Sequence, residues 1–207
     1  MDRKGGGKRR TGEDALQKGA HHDAWGAEGT FLLQTPEKRE LNQYWYSPHT
    51  IATLVKEIEE HAKKAAFLST PSVFFSLKDP GLKSGSCIFD VDTQWESLPN
   101  FVKWNFNQPQ HIDESYHHVF DYIVIDPPFV TPEVWIKYAE AARLLLRDDG
   151  KIILSTILEN AELLKQILHV EPQLFDPSIP HLVYQYAFFT NYKPTYLSSP
   201  NPEISMD

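Results

Sequence analysis

The chain has 207 residues, of which 41% are hydrophobic, 13% aromatic and 23% charged, enough apolar material for one folded domain and too little length for a second large one. Its net charge of -8 argues against a body built to lie along a phosphate backbone, and a single cysteine, Cys87, excludes an intrachain disulfide and a cysteine-based zinc site. No apolar run is long enough to span a bilayer and no signal-peptide pattern follows the basic N-terminus, so a reducing compartment is expected, cytoplasmic or nuclear.

Residues Met1 to His22 carry six bases, three acids and five glycines with almost nothing to bury, and read as a disordered basic tail of charge +3 in front of a body of charge -11. The tail is expected to run through residue 40, the domain over 41–192 and a second tail over 193–207. Pro48 to Lys64 places Ile51, Leu54, Val55 and Ile58 at helical spacing, with Ser47 as N-cap. Ala65 to Ser69 is a short strand, Cys87 to Asp92 a second that ends in acids, and Phe101 to Asn105 a weaker third. The clearest strand is Phe120 to Asp126, followed by Pro127-Pro128 and a helix capped by Thr131 with apolar positions Val134, Trp135, Tyr138, Ala142, Leu145 and Leu146. Asp148-Asp149-Gly150 reads as a turn, Lys151 to Ser155 as a strand, Asn160 to Leu168 as a helix and Leu182 to Tyr192 as a long aromatic strand. Apolar strands alternating with helices predict an α/β fold with a largely parallel sheet of about seven strands, closed by an antiparallel C-terminal edge.

In such a sheet, ligands bind at the carboxyl ends of the strands. A carboxylate after the second strand, Asp90 or Asp92, suits two ribose hydroxyls, and Asn105 beside Trp104 and Phe106 suits an adenine edge. Most informative is Asp126-Pro127-Pro128-Phe129. Two prolines remove two amide donors and fix two φ angles, so a carbonyl at Pro127 is held out as an acceptor beside a carboxylate and an aromatic face. Such a group grips a nitrogen that bears hydrogens and aims its lone pair at an electrophile. The ring of Phe129 offers stacking to a base or a cation–π surface to an ammonium. The nine histidines are scattered, and no metal site or Ser-His-Asp order appears.

Asp126-Pro-Pro-Phe129 resembles the D/N-P-P-Y/F motif of amino-directed methyltransferases that use S-adenosylmethionine. Gln43-Tyr-Trp-Tyr-Ser47, Ser69-Thr-Pro-Ser-Val-Phe74, Phe89-Asp-Val-Asp92, Asn105-Phe-Asn-Gln-Pro109 and Asn191-Tyr192 follow, in order and spacing, a eukaryotic family first labelled probable N6-adenine methyltransferase and now associated with lysine methylation of translation elongation factor 1-alpha. The similarity covers Leu41 to Tyr192. It implies a Rossmann-like fold, S-adenosylmethionine as cofactor, adenosine over Asp90 or Asp92 and Asn105, and the amino-acid end near Ser69, Thr70, Pro71 and Ser72 and Tyr46. Asp126 to Phe129 is then the catalytic segment, with Trp45 and Phe129 toward the substrate. Ser69-Thr-Pro-Ser72 replaces the usual glycine-rich loop, Asn105 stands where the family has an acid, and Pro177-Ser-Ile-Pro-His181 stands where it carries positive residues.

Three functions follow from this resemblance. A protein lysine fits the acidic body best, and such an enzyme must first remove a proton at a cost of about 4 kcal/mol at neutral pH. Adenine in RNA or DNA is an alternative that the basic tail could serve, and an inactive partner-binding relic is another that the altered Asn105 would suit.

Overall fold

The computed structural model describes residues 26–204. Its centre is a seven-stranded sheet built from β1 (Ala65–Leu68), β2 (Cys87–Asp90), β3 (Phe101–Lys103), β4 (Phe120–Ile125), β5 (Leu146–Thr156), β6 (Glu171–Pro172) and β7 (Ala187–Thr190), in the order β3-β2-β1-β4-β5-β7-β6. The first five strands pair in parallel, while β7 runs antiparallel to both β5 and β6. The helices are α1 (Gly26–Gln34), α2 (Pro48–His61), α3 (Pro71–Ser76), α4 (Pro80–Gly85), α5 (Pro132–Leu145) and α6 (Ala161–Leu168). The arrangement is the largely parallel α/β sheet with an antiparallel edge that the strand and helix pattern predicts, and the Rossmann-like fold that the resemblance implies. Among the described residues no helix is long and apolar enough to cross a membrane.

Period-two alternation with both faces apolar explains why the central strands are buried throughout. Phe67, Ile88, Tyr122, Val124, Ile153 and Phe188 point to a core shared with Ile51, Leu54 and Ile58 of α2. Leu68, Phe89, Ile123, Ile125, Leu154 and Phe189 point the other way, to Trp135, Tyr138 and Leu145 of α5. Trp135 is fully buried there, and truncating it to alanine would cost about 3–5 kcal/mol. Both long helices start as their sequences dictate. Ser47 accepts from Thr50 N at 3.1 Å and Thr131 from Val134 N at 3.5 Å, each followed by proline at the first helical position.

Three expectations need correction. The segment through residue 40 is not wholly a tail: α1 lies within it, and Phe31 packs edge-on against Trp45 at 5.5 Å and stacks on Phe75 at 5.6 Å. Met1 to His22 lie outside the described residues. The segment after residue 192 packs on the body as well. Glu57 of α2, fully buried, accepts from Thr195 N and Tyr196 N, and Leu197 and Asn201 are buried. The strand expected over Leu182 to Tyr192 is only β7. Ahead of it Leu182 N bonds back to Ile179 O, Gln185 Nε2 bonds to Pro177 O and Tyr186 O, and Val183 and Tyr184 face solvent. The Asp148-Asp149-Gly150 turn forms an excursion inside β5, between the pairs Phe120↔Leu146 and Tyr122↔Lys151. Asp149 has φ +57° there, and a Cβ on Gly150 would run into the Leu146 side chain.

Candidate active site

β1 is flanked by β2 on one side and β4 on the other, so the strand order reverses there and a crevice opens at the carboxyl ends of these strands. Its lining includes Asn42, Trp45, Ser69, Pro71, Asp90, Asp126, Pro127 and Pro128, with Ile179, Leu182 and Tyr186 across from them.

The loop after β1 enters the crevice through Ser69, whose φ of +57° lies in the region that favours glycine. The strain, of order 1–3 kcal/mol, is held by Ser69 N on Phe89 O at 2.9 Å and by Ser69 Oγ with Tyr138 OH at 2.7 Å. A serine thus performs the turn that a glycine-rich loop performs elsewhere. Thr70 and Ser72 are buried beside this turn, and the Thr70 hydroxyl has no hydrogen-bond partner among the described residues.

The two acids after β2 have separate roles. Asp90 is buried on the crevice wall with Oδ1 accepting from Asp92 N at 2.8 Å, and burial pushes its carboxyl up to about 6. Asp92 is turned away from the wall. Burial alone would raise its carboxyl, but hydrogen bonds from Lys38, Gln94 and Gln43 outweigh it and hold the group below the ordinary carboxylate range. Asn105 is exposed after β3, and its Oδ1 accepts from Asn107 N at 3.0 Å. It is not among the crevice residues.

Asp126 is half-buried at the end of β4, and Ser155 Oγ donates to its Oδ1 at 2.9 Å. Ser155 Oγ in turn lies 2.7 Å from Tyr46 OH. Burial pushes the Asp126 carboxyl up to about 7, although the hydroxyls of Ser155 and Tyr46 favour the ionised form. Pro127 is buried. The carbonyl of Pro128 accepts from Asn42 Nδ2. Phe129 is 50% exposed, set edge-on to Phe106 at 6.4 Å.

A strap over residues 35–47 crosses the crevice. Trp45 is buried in its wall, donating Nε1 to Thr35 O at 2.9 Å and N to Glu37 Oε1 at 2.8 Å. Lys38, Gln43 and Asn42 tie the strap to Asp92 and Pro128, beside a partly open space of about 60 Å³. Tyr46 sits behind this wall, 3% exposed.

Of the residues singled out by sequence, the structure therefore brings Trp45, Ser69, Pro71, Asp90, Asp126, Pro127 and Pro128 to the crevice and places Tyr46, Thr70, Ser72, Asp92, Asn105 and Phe129 outside its lining. Ser155, Tyr138, Lys38 and Asn42 were not singled out. Ser155 carried a signal: it ends an apolar strand, and the register Ile125↔Leu154 sets it beside Asp126 once β4 and β5 are known to be neighbours.

The family model described as probable N6-adenine methyltransferase matches residues 37–194. EEF1A lysine methyltransferase 1 of Bos taurus is 32% identical over 155 residues, covering 71% of this chain and 68% of that protein. The Mus musculus protein of the same name is 31% identical over 163 residues, covering 75% of each. Among solved structures, the branched-chain polyamine synthase of Thermus thermophilus, in complex with N4-aminopropylspermidine and 5'-methylthioadenosine, shares the fold with a TM-score of 0.60 at 12% identity. The match covers 83% of this chain and 66% of that one, so this chain spans just under two thirds of the synthase.

Proposed function

Since the chain belongs to the probable N6-adenine methyltransferase family, in which its similarity is to the EEF1A lysine methyltransferases, we propose that it is an S-adenosylmethionine-dependent N-methyltransferase that modifies a lysine side chain of a protein, namely elongation factor 1-alpha. The observation that carries this reading is the placement of Asp126 and Pro127-Pro128 at the carboxyl end of β4, on the wall of a crevice at the point of strand reversal.

The residues of the crevice fit the cofactor chemically. Asp90 offers a buried carboxylate for ribose hydroxyls, and Ser69 lines the crevice where the polar amino-acid end would lie. When bound, S-adenosylmethionine supplies an electrophilic methyl group. The chain's own task is alignment: the Asp126 carboxylate accepts an N–H of the substrate, the Pro127-Pro128 backbone fixes the approach, and Trp45 and Tyr186 wall off water. The acidic body favours a basic protein surface over nucleic acid. Incubating the protein with labelled cofactor and, in parallel, elongation factor 1-alpha and adenine-containing oligonucleotides tests the reading. Label on lysine supports it, and label on adenine alone replaces it with base methylation.

A further inference from the structure

A lysine substrate brings a problem that the aligned crevice does not solve, because its ammonium has no lone pair until it gives up a proton. A carboxylate stripped of its proton and left in a cationic setting would simply hold the ammonium in its charged form. The setting of Asp126 is different. Among the described residues no cation is among the causes that set its protonation, and the polar side chains that bear on it are hydroxyls: Ser155 from β5, Tyr46 from the strap, Tyr186 from the segment before β7 and Tyr138 from α5. Of these, Ser155 and Tyr46 are buried and hydrogen-bonded to one another at 2.7 Å, and Ser155 binds one carboxylate oxygen, Oδ1, at 2.9 Å. Neither Ser155 nor Tyr46 lines the crevice, whereas Asp126 does.

Resting on the lysine reading above, we propose that Ser155 and Tyr46 are a positioning pair that holds Asp126 from behind by Oδ1, so that its other oxygen meets the substrate ammonium and takes its proton. The transfer balances within the crevice. One N–H bond of the ammonium breaks and an O–H bond forms on Asp126; the electron pair of the broken bond stays on nitrogen as the lone pair that attacks. Asp126, now a neutral carboxyl, returns the proton to solvent after the product leaves. Its carboxyl sits near 7, so at neutral pH the group is ionised about half of the time, and taking the ammonium's proton is far less uphill than it is for an ordinary carboxylate. Tyr46 itself is held neutral, since burial raises its hydroxyl first and the Asp126 charge adds to that. It acts as a fixed dipole and not as a second base.

The experiment compares wild type, Ser155→Ala and Tyr46→Phe, both of which remove a hydroxyl and leave the packing volume nearly unchanged. The Asp126 carboxyl is titrated directly, by carbon NMR on protein labelled at aspartate, and kcat/KM is measured across pH 5.5 to 9. Loss of the Ser155 hydrogen bond is expected to move the Asp126 titration upward, to move the acid limb of kcat/KM by the same amount, and to lower kcat at pH 7 about tenfold or more with KM for S-adenosylmethionine unchanged. Tyr46→Phe is expected to shift both in the same direction by less. An Asp126 titration and pH profile that superimpose on wild type in both variants overturn the positioning role. If the titration shifts but no enzyme form methylates lysine, the positioning of Asp126 stands while its use as proton acceptor falls with the lysine reading.

Discussion

Lys38 Nζ lies 2.8 Å from both carboxylate oxygens of Asp92, a pair that fastens the strap of residues 35–47 to the end of β2 while Asn42 fastens it to the carbonyl of Pro128. The space beside it, about 60 Å³, is open on one side to solvent. The strap borders that opening, so its fastening bears on how a cofactor enters. The side chain of Lys38 is 32% exposed, which limits the pair to the 0–1 kcal/mol of partly screened ion pairs. Lys38→Ala is accordingly expected to speed hydrogen exchange at the Trp45 amide by a few fold and to raise the association rate for S-adenosylmethionine. Exchange at wild-type rates would show that the pair does not fasten the strap.

Asp90 and Asp92 differ in what they face, and their substitutions should differ too. Asp90→Ala removes the carboxylate on the crevice wall and is expected to weaken S-adenosylmethionine binding tenfold or more, a loss of at least about 1.4 kcal/mol. Asp92→Ala, whose carboxylate is taken by Lys38, Gln43 and Gln94, should change it by less than about threefold. Calorimetric titration of the two variants checks this ordering, and a larger loss in Asp92→Ala would reverse the assignment.

Tyr138 holds Ser69 in its left-handed turn through one hydrogen bond of 2.7 Å. Its ring is independently fixed, edge-on to Trp104 at 5.1 Å and stacked on Phe106 at 5.7 Å. Tyr138→Phe should therefore keep the fold and lose about 1 kcal/mol of hydrogen bonding, seen as a cofactor affinity about fivefold weaker with an unchanged melting temperature within a few degrees. An affinity equal to wild type would mean the turn keeps its shape unaided.

Asp126 carries a stability cost whose sign can be worked out. Its carboxyl sits near 7 in the folded protein and near 3.9 in the unfolded chain. Below about pH 4 both states hold the proton and no cost arises; between about 4 and 7 the unfolded state ionises first, so the cost grows, and above about 7 it is complete. The full linkage value of about 4 kcal/mol is reduced by the open side of the crevice, to an expected 1–2 kcal/mol. Asp126→Asn should melt several degrees above wild type at pH 8 and together with it near pH 4. A variant no more stable than wild type at pH 8 would place Asp126 in an aqueous setting.

Much of the fold was legible because its signals are local. Ser47-Pro48 and Thr131-Pro132 open α2 and α5 as their side chains require, and the buried run Phe120–Ile125 could only be a central strand. Asp126 to Pro128 was legible for the same reason, since the motif and the strand before it are contiguous. What escaped depends on contacts distant in sequence. Ser155 meets Asp126 only through the neighbouring of β4 and β5, and Lys38 meets Asp92 across a separation of 54 residues. The aromatic run before β7 alternates like a strand, but Leu182 and Gln185 bond within their own segment and leave Tyr184 in solvent. Residues 26–34 offer one buried aromatic, Phe31, too sparse a signal to separate a packed helix from a tail.

The central claim, that Asp126 aligns a protein lysine for methylation, is tested most directly by transfer of labelled methyl groups to elongation factor 1-alpha by wild type and Asp126→Ala, with the modified residue located by mass spectrometry. The expected result is label on a lysine Nε with wild type and less than a tenth of that rate with Asp126→Ala, a loss of about 2–3 kcal/mol in the transition state, while S-adenosylmethionine still binds both proteins. Transfer by Asp126→Ala at more than a tenth of the wild-type rate, or label found on adenine and not on lysine, would contradict it.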